Sequence, residues 1–461
     1  MSTGQNNREI DMLHGAIASK LFIFAWPLVL TGVLQQLFNT ADVLTLGQFI
    51  GKNAMAAVGN NTPIIGLMVS LLMGVSLGAN VIIARYIGGQ KPEKVQAAVH
   101  TSILLALVFS LLLMLISELF ATPLLHQLGV PEEVMGMTET YLRIYLLGLP
   151  AIGLYNFEAA IFRSRGDTRT PLISLIISSV LNIVLNIAFV LGLGMDIDGV
   201  AYATLIANVV NAVYLFRGLC TTQDILHIEP RLLRRDWNAA ECRRILRIGL
   251  PAGIQGMVFS LSNLVIQSAI NSLGADAMAA SAAAFTIEIN VYCVINALGQ
   301  ATTTFVSQNY GAGKLKRCFR ITRQSLLISA LCMIACPAFL LYFGESMLYF
   351  FNSDPHVIEL GVIRLFYVVS PALVNGGIEI LSGALRGYGY SLPPAIVTLI
   401  CICGIRITWV YTAFAASPDY GTLMAAYPLS WTATMLFLIA IYLFYRKHLQ
   451  IRRLHVRPTF G

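Results

Sequence analysis

Twelve separate runs of apolar residues, each close to the length that crosses a bilayer, are the feature that most constrains this chain. A spanning helix needs about 20 apolar residues, and a helix satisfies its own backbone hydrogen bonds where lipid offers no partner. The 461 residues are 57% hydrophobic and only 11% charged, with a mean hydropathy of +0.73. Soluble domains carry about a quarter charged residues. We therefore expect an all-α polytopic membrane protein with twelve transmembrane helices.

The positive charges lie in alternate connections between these runs, and this distribution predicts the orientation. Most of the 30 Lys and Arg residues fall in the two tails, in "RYIGGQKPEK", around Arg165, in the long polar segment after Thr221 and after Gly313. Cytoplasmic loops carry such an excess, so we expect a multi-pass protein of the cell (inner) membrane with both termini cytoplasmic. The opposite loops carry acids instead: Glu132, Glu133, Glu139, Asp196, Asp198, Asp354 and Asp419.

Several other classes of protein are disfavoured by composition and spacing. The net charge of +7 does not indicate nucleic-acid binding, because the basic residues lie in short segments rather than on one solvated face. The eight cysteines have neither zinc nor redox spacing, so we expect no disulfide, no metal site and no cofactor. The segments "GGQK" and "GAGK" lack the spacing of a phosphate-binding loop, and no catalytic dyad stands out. We therefore expect a protein that is not an enzyme.

The two halves of the sequence repeat each other. "FAWPLVLTGV" aligns with "IGLPAGIQGM", which pairs Pro27 with Pro251, and "LPAIGLYNFEAAIFRSRG" aligns with "SPALVNGGIEILSGALRG", which pairs Glu158 with Glu379. Six helices per half give both copies the same orientation, so the repeats are parallel. Such symmetry is typical of transporters that rock two bundles around a central cavity.

The repeat predicts the domain organisation. We expect an N-terminal lobe of helices 1 to 6 at residues 1–222, and a C-terminal lobe of helices 7 to 12 with a basic cytoplasmic tail at residues 246–461. Between them, residues 223–245 form a polar cytoplasmic linker that contains "EPRLLRRDWNAAECRR". The fold class is thus two pseudo-symmetric six-helix lobes.

Five motifs recur in order over nearly the whole chain: "WPLVLTGVLQQLFNTADVLTLGQFIG", "RYIGGQKPEKV", "AIFRSRGDTRTPL", "LNIVLNIAFVLGLGMDIDGVAYATLIA" and "GALRGYGYSLPP". Together they resemble the multidrug and toxic compound extrusion (MATE) family. The resemblance implies two six-helix lobes that form a V, with a large cavity that opens alternately to the two sides. It also implies a prokaryotic transporter that couples drug efflux to the entry of H⁺ or Na⁺.

The resemblance assigns candidate residues for ion coupling. Asp42 matches the acid in the first helix that is similar to the family's cation-responsive carboxylate, and Asn182 and Thr204 match its polar partners in helices five and six. Asn186 is a departure, because much of that branch has a second carboxylate there, in "LNIVLD". The seventh helix also lacks the acid that another branch uses. The coupling ion is therefore left as H⁺ or Na⁺.

Five ionisable residues lie deep in the predicted spans, where such groups are costly and are functional candidates by default. They are Asp42, Glu158, Glu288, Glu379 and Arg406. A single carboxylate among neutral oxygens could bind Na⁺, a hard cation that prefers oxygen ligands, and a desolvated carboxyl could instead carry H⁺. Asp42 could alternatively serve only to bond helices together, as polar groups in membrane bundles often do.

The acids outside the Asp42 cluster have a structural alternative. Glu158 and Glu379 each precede an arginine, Arg165 or Arg386, by seven residues. That separation is about 10 Å along a helix, so we expect no direct pair with that arginine within a straight helix.

Arg406 is the one cation deep in a predicted span. We expect it to neutralise Glu379 or Glu288 in a structural ion pair, or else to take part in substrate or proton binding. Pro27 removes a backbone hydrogen bond inside the first helix and is a candidate hinge before Asp42, although prolines are common in membrane helices.

The leading hypothesis is an ion-coupled multidrug antiporter, a monomer in the lipid bilayer that exports small amphipathic, often cationic compounds by alternating access. The alternative is a flippase or exporter of a lipid-linked saccharide or another endogenous amphiphile, which would favour a strongly cationic cavity. A channel fits less well, because isolated buried acids in a two-lobed repeat suit alternating access.

Overall fold

The computed structural model describes residues 9–231 and 236–455. Residues 232–235 of the predicted linker lie outside the described residues, as do residues 1–8 and 456–461 at the two ends. The described residues form helices and connecting segments, with no strand among them.

Seven helices make up the first half: α1 (Ile17–Phe49), α2 (Lys52–Gly88), α3 (Pro92–Gln127), α4 (Glu132–Leu147), α5 (Leu149–Arg165), α6 (Arg169–Ile187) and α7 (Ile197–Thr221). The described part of the second half contains α8 (Ala239–Ser272), α9 (Ala275–Gly311), α10 (Leu315–Tyr349), α11 (Pro355–Val369), α12 (Ala372–Gly387), α13 (Leu392–Phe414), α14 (Tyr420–Met424) and α15 (Ala426–His455). Wide π-helical turns extend α6 at Ala188–Gly192, interrupt α13 at Thr398–Gly404 and end it at Val410–Phe414.

The predicted count of twelve spans is confirmed for the described residues. Eleven helical stretches are long and apolar enough to cross a membrane, and α4 with α5 makes a twelfth span that is bent by 45°. The bend lies at Gly148, and Pro150 follows in the first turn of α5, where a helix needs no backbone N–H. In the second half, α11 and α12 together form the corresponding span, Pro355–Gly387.

The helices pack into two compact units. Among the described residues, unit 1 comprises those up to Ser260 together with Ser307–Cys318, and unit 2 comprises Leu261–Val306 together with those from Phe319 onward. In unit 1, α5 packs against α2, α3 and α7 around a core of aliphatic and aromatic side chains. In unit 2, α12 packs against α15. The boundaries of the two units follow the contacts within the fold and do not coincide with the boundaries of the sequence repeat. The predicted lobe boundaries therefore stay predictions.

Glycines allow α2 and α8 to cross closely inside unit 1. Gly74 and Gly78 of α2 face Gly253 and Gly249 of α8, and each pair is spaced by four residues. A Cβ atom at Gly78 would lie 2.8 Å from the backbone nitrogen of Gly249. Membrane helices approach each other through such small residues, because dispersion contacts between backbones hold them together in lipid.

The segment before α1 is seated against the end of α5. Gly166, which follows α5, has a φ of +107°, and a Cβ atom there would lie 2.7 Å from the carbonyl oxygen of Ile10. Met12 is buried, and its carbonyl oxygen accepts a hydrogen bond of 3.0 Å from the Asn309 side chain. The N-terminal segment and the end of α5 therefore lie on the same side of unit 1.

Candidate ion-coupling site

Asp42 lies in the last third of α1 and is buried, with 3% of its surface exposed. Its two carboxylate oxygens accept hydrogen bonds from two other helices of unit 1. The amide nitrogen of Asn186, on α6, donates to Oδ1 at 2.7 Å, and the hydroxyl of Thr204, on α7, donates to Oδ2 at 3.0 Å. Three helices therefore meet at this carboxylate.

Asn182 completes the cluster. Its Oδ1 accepts a hydrogen bond of 3.2 Å from Asn186, and its Nδ2 donates at 3.3 Å to the hydroxyl oxygen of Thr204. Asn182 and Asn186 are four residues apart and therefore share one face of α6. The structure thus places all four predicted residues, including Asp42, in one buried hydrogen-bond network.

The cluster offers several oxygens around a single negative charge. Oδ1 of Asn186 is buried and has no hydrogen-bond partner among the described residues. Tyr141, on α4, is buried close to Asp42 and Thr204, a neighbour that the sequence motifs do not indicate. A carboxylate with neutral side-chain oxygens suits Na⁺, and the same carboxyl can instead take up H⁺. The Asn186 amide fits either state, because a half-turn exchanges its donor for its acceptor.

Pro27 lies inside α1, and the helix continues through it. The Thr31 hydroxyl donates to the Pro27 carbonyl oxygen at 2.8 Å. Such a bond back to the preceding turn, together with the missing N–H of proline, favours bending of a helix. Its role as a hinge stays a prediction.

Glu288 forms an ion pair with Arg364 rather than with Arg406. In unit 2, Arg364 Nη2 lies 2.6 Å from Glu288 Oε1, and its Nε lies 3.3 Å from Oε2, so the arginine binds both oxygens. Both side chains are nearly buried. The predicted pairing of Glu288 with Arg406 is therefore wrong. Extended toward the N-terminus, the repeat alignment places Arg364 opposite Arg143 at the same separation of 221 residues, and no other sequence feature indicates this arginine.

Glu379 forms an ion pair within its own helix, contrary to the expectation from sequence. Nη1 of Arg386 lies 3.7 Å from Glu379 Oε2. Seven residues are almost two full turns, so both side chains share a face, and an arginine side chain extends back toward the helix N-terminus. The two residues are about 10 Å apart along the helix axis, as expected. The long arginine side chain nevertheless extends back far enough to reach the carboxylate.

Arg406 is fully buried in unit 2 and is hydrogen-bonded there to neutral side chains. Its Nη1 donates to Oδ1 of Asn263 at 2.8 Å and its Nε to the Ser430 hydroxyl at 3.2 Å. The guanidinium carbon lies 4.3 Å from the ring centre of Tyr427 and 5.8 Å from that of Trp431. Stacking on aromatic faces and bonding to neutral oxygens compensate for the burial of this guanidinium. Glu288 and Glu379 pair with Arg364 and Arg386 instead.

Glu158, on α5, is the remaining predicted acid. It is completely buried in unit 1, and neither carboxyl oxygen has a hydrogen-bond partner among the described residues. Unlike Glu379, it forms no pair with the arginine seven residues on. In the described part of the chain, no group of three or more His, Cys, Asp or Glu side chains could hold a metal ion.

Known proteins share this sequence and this fold. The model of the MatE family matches two segments, residues 27–188 and 251–412, which begin at the two prolines that the repeat alignment pairs. This confirms the duplication. The "Probable multidrug resistance protein YoeA" of Bacillus subtilis is 26% identical over 441 residues, covering 94% of this chain and 95% of that protein.

Two further comparisons differ in what they show. The "FAD transporter" of Shewanella oneidensis is 26% identical over 377 residues, covering 78% of this chain and 80% of that protein. A crystal structure described as "MATE in complex with MaL6" has a TM-score of 0.87 over 97% of this chain and 99% of that chain, at 21% identity. That structural likeness confirms the two-lobed all-helical fold.

Proposed function

Because the chain belongs to the MatE family, whose members are transporters, we propose that it exports amphipathic, often cationic compounds in exchange for H⁺ or Na⁺. It is a multi-pass membrane protein. We further propose that it lies in the inner membrane as a monomer. The distribution of Lys and Arg favours an orientation with both termini in the cytoplasm.

The Asp42 cluster is the observation that supports ion coupling. A buried carboxylate that accepts two hydrogen bonds from side chains on other helices can change those bonds when it binds H⁺ or Na⁺. A bound proton turns one oxygen of Asp42 into a donor, which the Asn186 nitrogen cannot accept. Ion binding therefore changes which contacts hold α1 to α6 and α7.

Antiport requires only that ion and substrate favour different states of the protein. A lipophilic cation gains free energy by burying its apolar body, and its charge is attracted to a desolvated carboxylate. The coupling ion and such a substrate then compete for Asp42, directly or through movement of α1 near Pro27. One bound ion can in this way release one substrate molecule.

A second candidate is export of an endogenous amphiphile, such as a lipid-linked saccharide or a nucleotide-containing compound. Two observations favour it: one relative is called an FAD transporter, and unit 2 contains the buried Arg406. The guanidinium is fully buried in this conformation, so an anionic substrate would interact with it only in another conformation of the transport cycle.

Transport in everted membrane vesicles tests the proposal. Ethidium uptake would be measured with a pH gradient alone, with a Na⁺ gradient alone, and with neither. We expect one gradient to drive uptake in vesicles that contain the protein, and the Asp42→Asn variant to reduce uptake to the level of empty vesicles. Uptake that needs no gradient, or that is unchanged in Asp42→Asn, would reject ion coupling through this site. If only anionic amphiphiles are transported, the second candidate is correct.

A further inference from the structure

Glu158 is a buried acid that the Asp42 mechanism does not use. Its side chain is 0% exposed, and both carboxyl oxygens lack hydrogen-bond partners among the described residues. It lies on α5 between Phe157 and Ala159, which belong to the apolar core of unit 1. An ionised carboxylate without donors is very costly in such surroundings, so this environment favours the neutral, protonated form of Glu158.

No charged side chain among the described residues is hydrogen-bonded to this carboxyl. The nearby titratable group is the Cys220 thiol of α7. A thiol is a weak donor and does not stabilise a buried carboxylate. The charged form of Glu158 therefore needs a cation to move toward it.

The corresponding residues of unit 2 indicate which cation can reach it. There, Arg386 extends back along its helix to Glu379, at 3.7 Å. In unit 1, Arg165 has the same sequence separation from Glu158 but points elsewhere. Its Nε lies 3.0 Å from Glu9, and its Nη1 forms an ion pair with Asp224.

We propose that Glu158 is a second proton-binding site of unit 1, which holds a proton while Arg165 is bound to Glu9 and Asp224. When Arg165 leaves these acids and extends back along α5, as Arg386 does, the Glu158 carboxyl loses its proton to water and the carboxylate binds the guanidinium. Arg165 stays protonated throughout, so the exchange releases one proton from Glu158 and moves the guanidinium charge from Glu9 and Asp224 to the Glu158 carboxylate.

The two proton sites lie toward opposite ends of unit 1. Arg165 and the N-terminal segment lie on one side, and Glu158 is about two helical turns from that side. Asp42 lies 25 residues into α1, which is about 38 Å along the helix from the same side. This placement makes Glu158 the site that exchanges its proton with the solution on the side of the chain termini. The assignment rests on the proposed ion exchange.

Infrared spectroscopy of the purified full-length protein tests the inference without substrate or gradient. The C=O stretching band of a protonated carboxylic acid would be followed through a pH titration. We expect a band at neutral pH that is missing in Glu158→Gln and unchanged in the matched control Glu379→Gln, because Glu379 is already paired. A band that is the same in Glu158→Gln and in wild type would overturn the proposal.

A second variant tests the role of Arg165 and does not alter the buried acid. In Glu9→Gln/Asp224→Asn, Arg165 is released, and we expect the Glu158 band to disappear at a pH lower by about one unit or more. Adding Arg165→Gln should remove this shift. An identical titration in wild type and in the double variant would reject the exchange of partners. If the titrations are identical and the protein still carries out coupled efflux, only the Glu158 proposal is rejected, and the Asp42 proposal is retained.

Discussion

The amide nitrogen of Asn186 lies 2.7 Å from Oδ1 of Asp42, and the resemblance to the MATE family implies that a second carboxylate often takes the place of this asparagine. An amide donates this bond without carrying a titratable proton, so the pair holds one negative charge. Two carboxylates at this distance would instead share a proton, because like charges so close cannot both ionise. Asparagine in place of a second carboxylate at position 186 therefore changes the number of protons that the Asp42 cluster can exchange.

Replacing Asn186 by aspartate tests this difference. In Asn186→Asp, we expect coupled efflux to extend to higher pH by about one unit or more, since a neighbouring carboxylate keeps a proton bound. The measurement is the pH profile of ethidium transport in vesicles. The Asn182→Asp variant, one turn away on the same face of α6, is the matched control and should shift the profile less. Equal shifts in both variants would mean that the contact with Asp42 is not decisive.

Thiol labelling tests the orientation. In a background that lacks the eight native cysteines, Lys91→Cys and Glu133→Cys would be exposed to an impermeant reagent in intact cells. Both positions are exposed, and they lie in connections that carry opposite charge. We expect only Glu133→Cys to react from outside. Reaction of Lys91→Cys alone would show that the orientation is reversed.

The number of spans could be predicted because it depends on a local pattern, whereas the members of the Asp42 cluster were indicated by the resemblance to the MATE family. Apolar run length predicts a spanning helix, and the motif around Asn182 and Asn186 places both amides on one face of α6. The partners in unit 2 could not be predicted, because they depend on side-chain length and direction. Arg364 reaches Glu288 across helices, and Arg386 reaches back over two turns to Glu379. The number of residues between two positions indicates neither of these two contacts.

The ion pair of Glu288 and Arg364 should contribute more to the stability of the protein than an ion pair on the surface does. Removing one partner leaves a buried charge, so we expect Arg364→Met to cost about 3–5 kcal/mol of stability. The double variant Glu288→Gln/Arg364→Met should recover most of that loss. Thermal unfolding of the detergent-purified variants is the measurement, analysed as a double-mutant cycle. A double variant as unstable as Arg364→Met would show that the two residues act independently.

The N-terminal segment should loosen in acid. Burial alone would raise the pKa of Asp11, but the backbone N–H of Leu13 and the charge of Lys20 outweigh it and hold the pKa below its ordinary value of 3.8. Stability from a lowered carboxyl pKa is present above the unfolded value and is lost as the pH falls through the folded one. Hydrogen exchange at the Leu13 amide should therefore be protected at neutral pH and lose protection below about pH 4. The Asp11→Asn variant should show no such pH dependence, and a pH-dependent loss that persists in it would exclude Asp11 as the cause.

The binding of a fluorescent cation tests most directly whether coupling runs through Asp42. Ethidium would be titrated onto detergent-purified protein at several pH values and Na⁺ concentrations, in wild type, Asp42→Asn and the control Glu379→Gln. Because coupling between ligands is reciprocal, the competing ion must weaken ethidium binding, by up to about tenfold per pH unit for one proton. We predict this dependence in wild type and Glu379→Gln, and its loss in Asp42→Asn. An ethidium affinity that depends on H⁺ or Na⁺ as strongly in Asp42→Asn as in wild type would contradict the account.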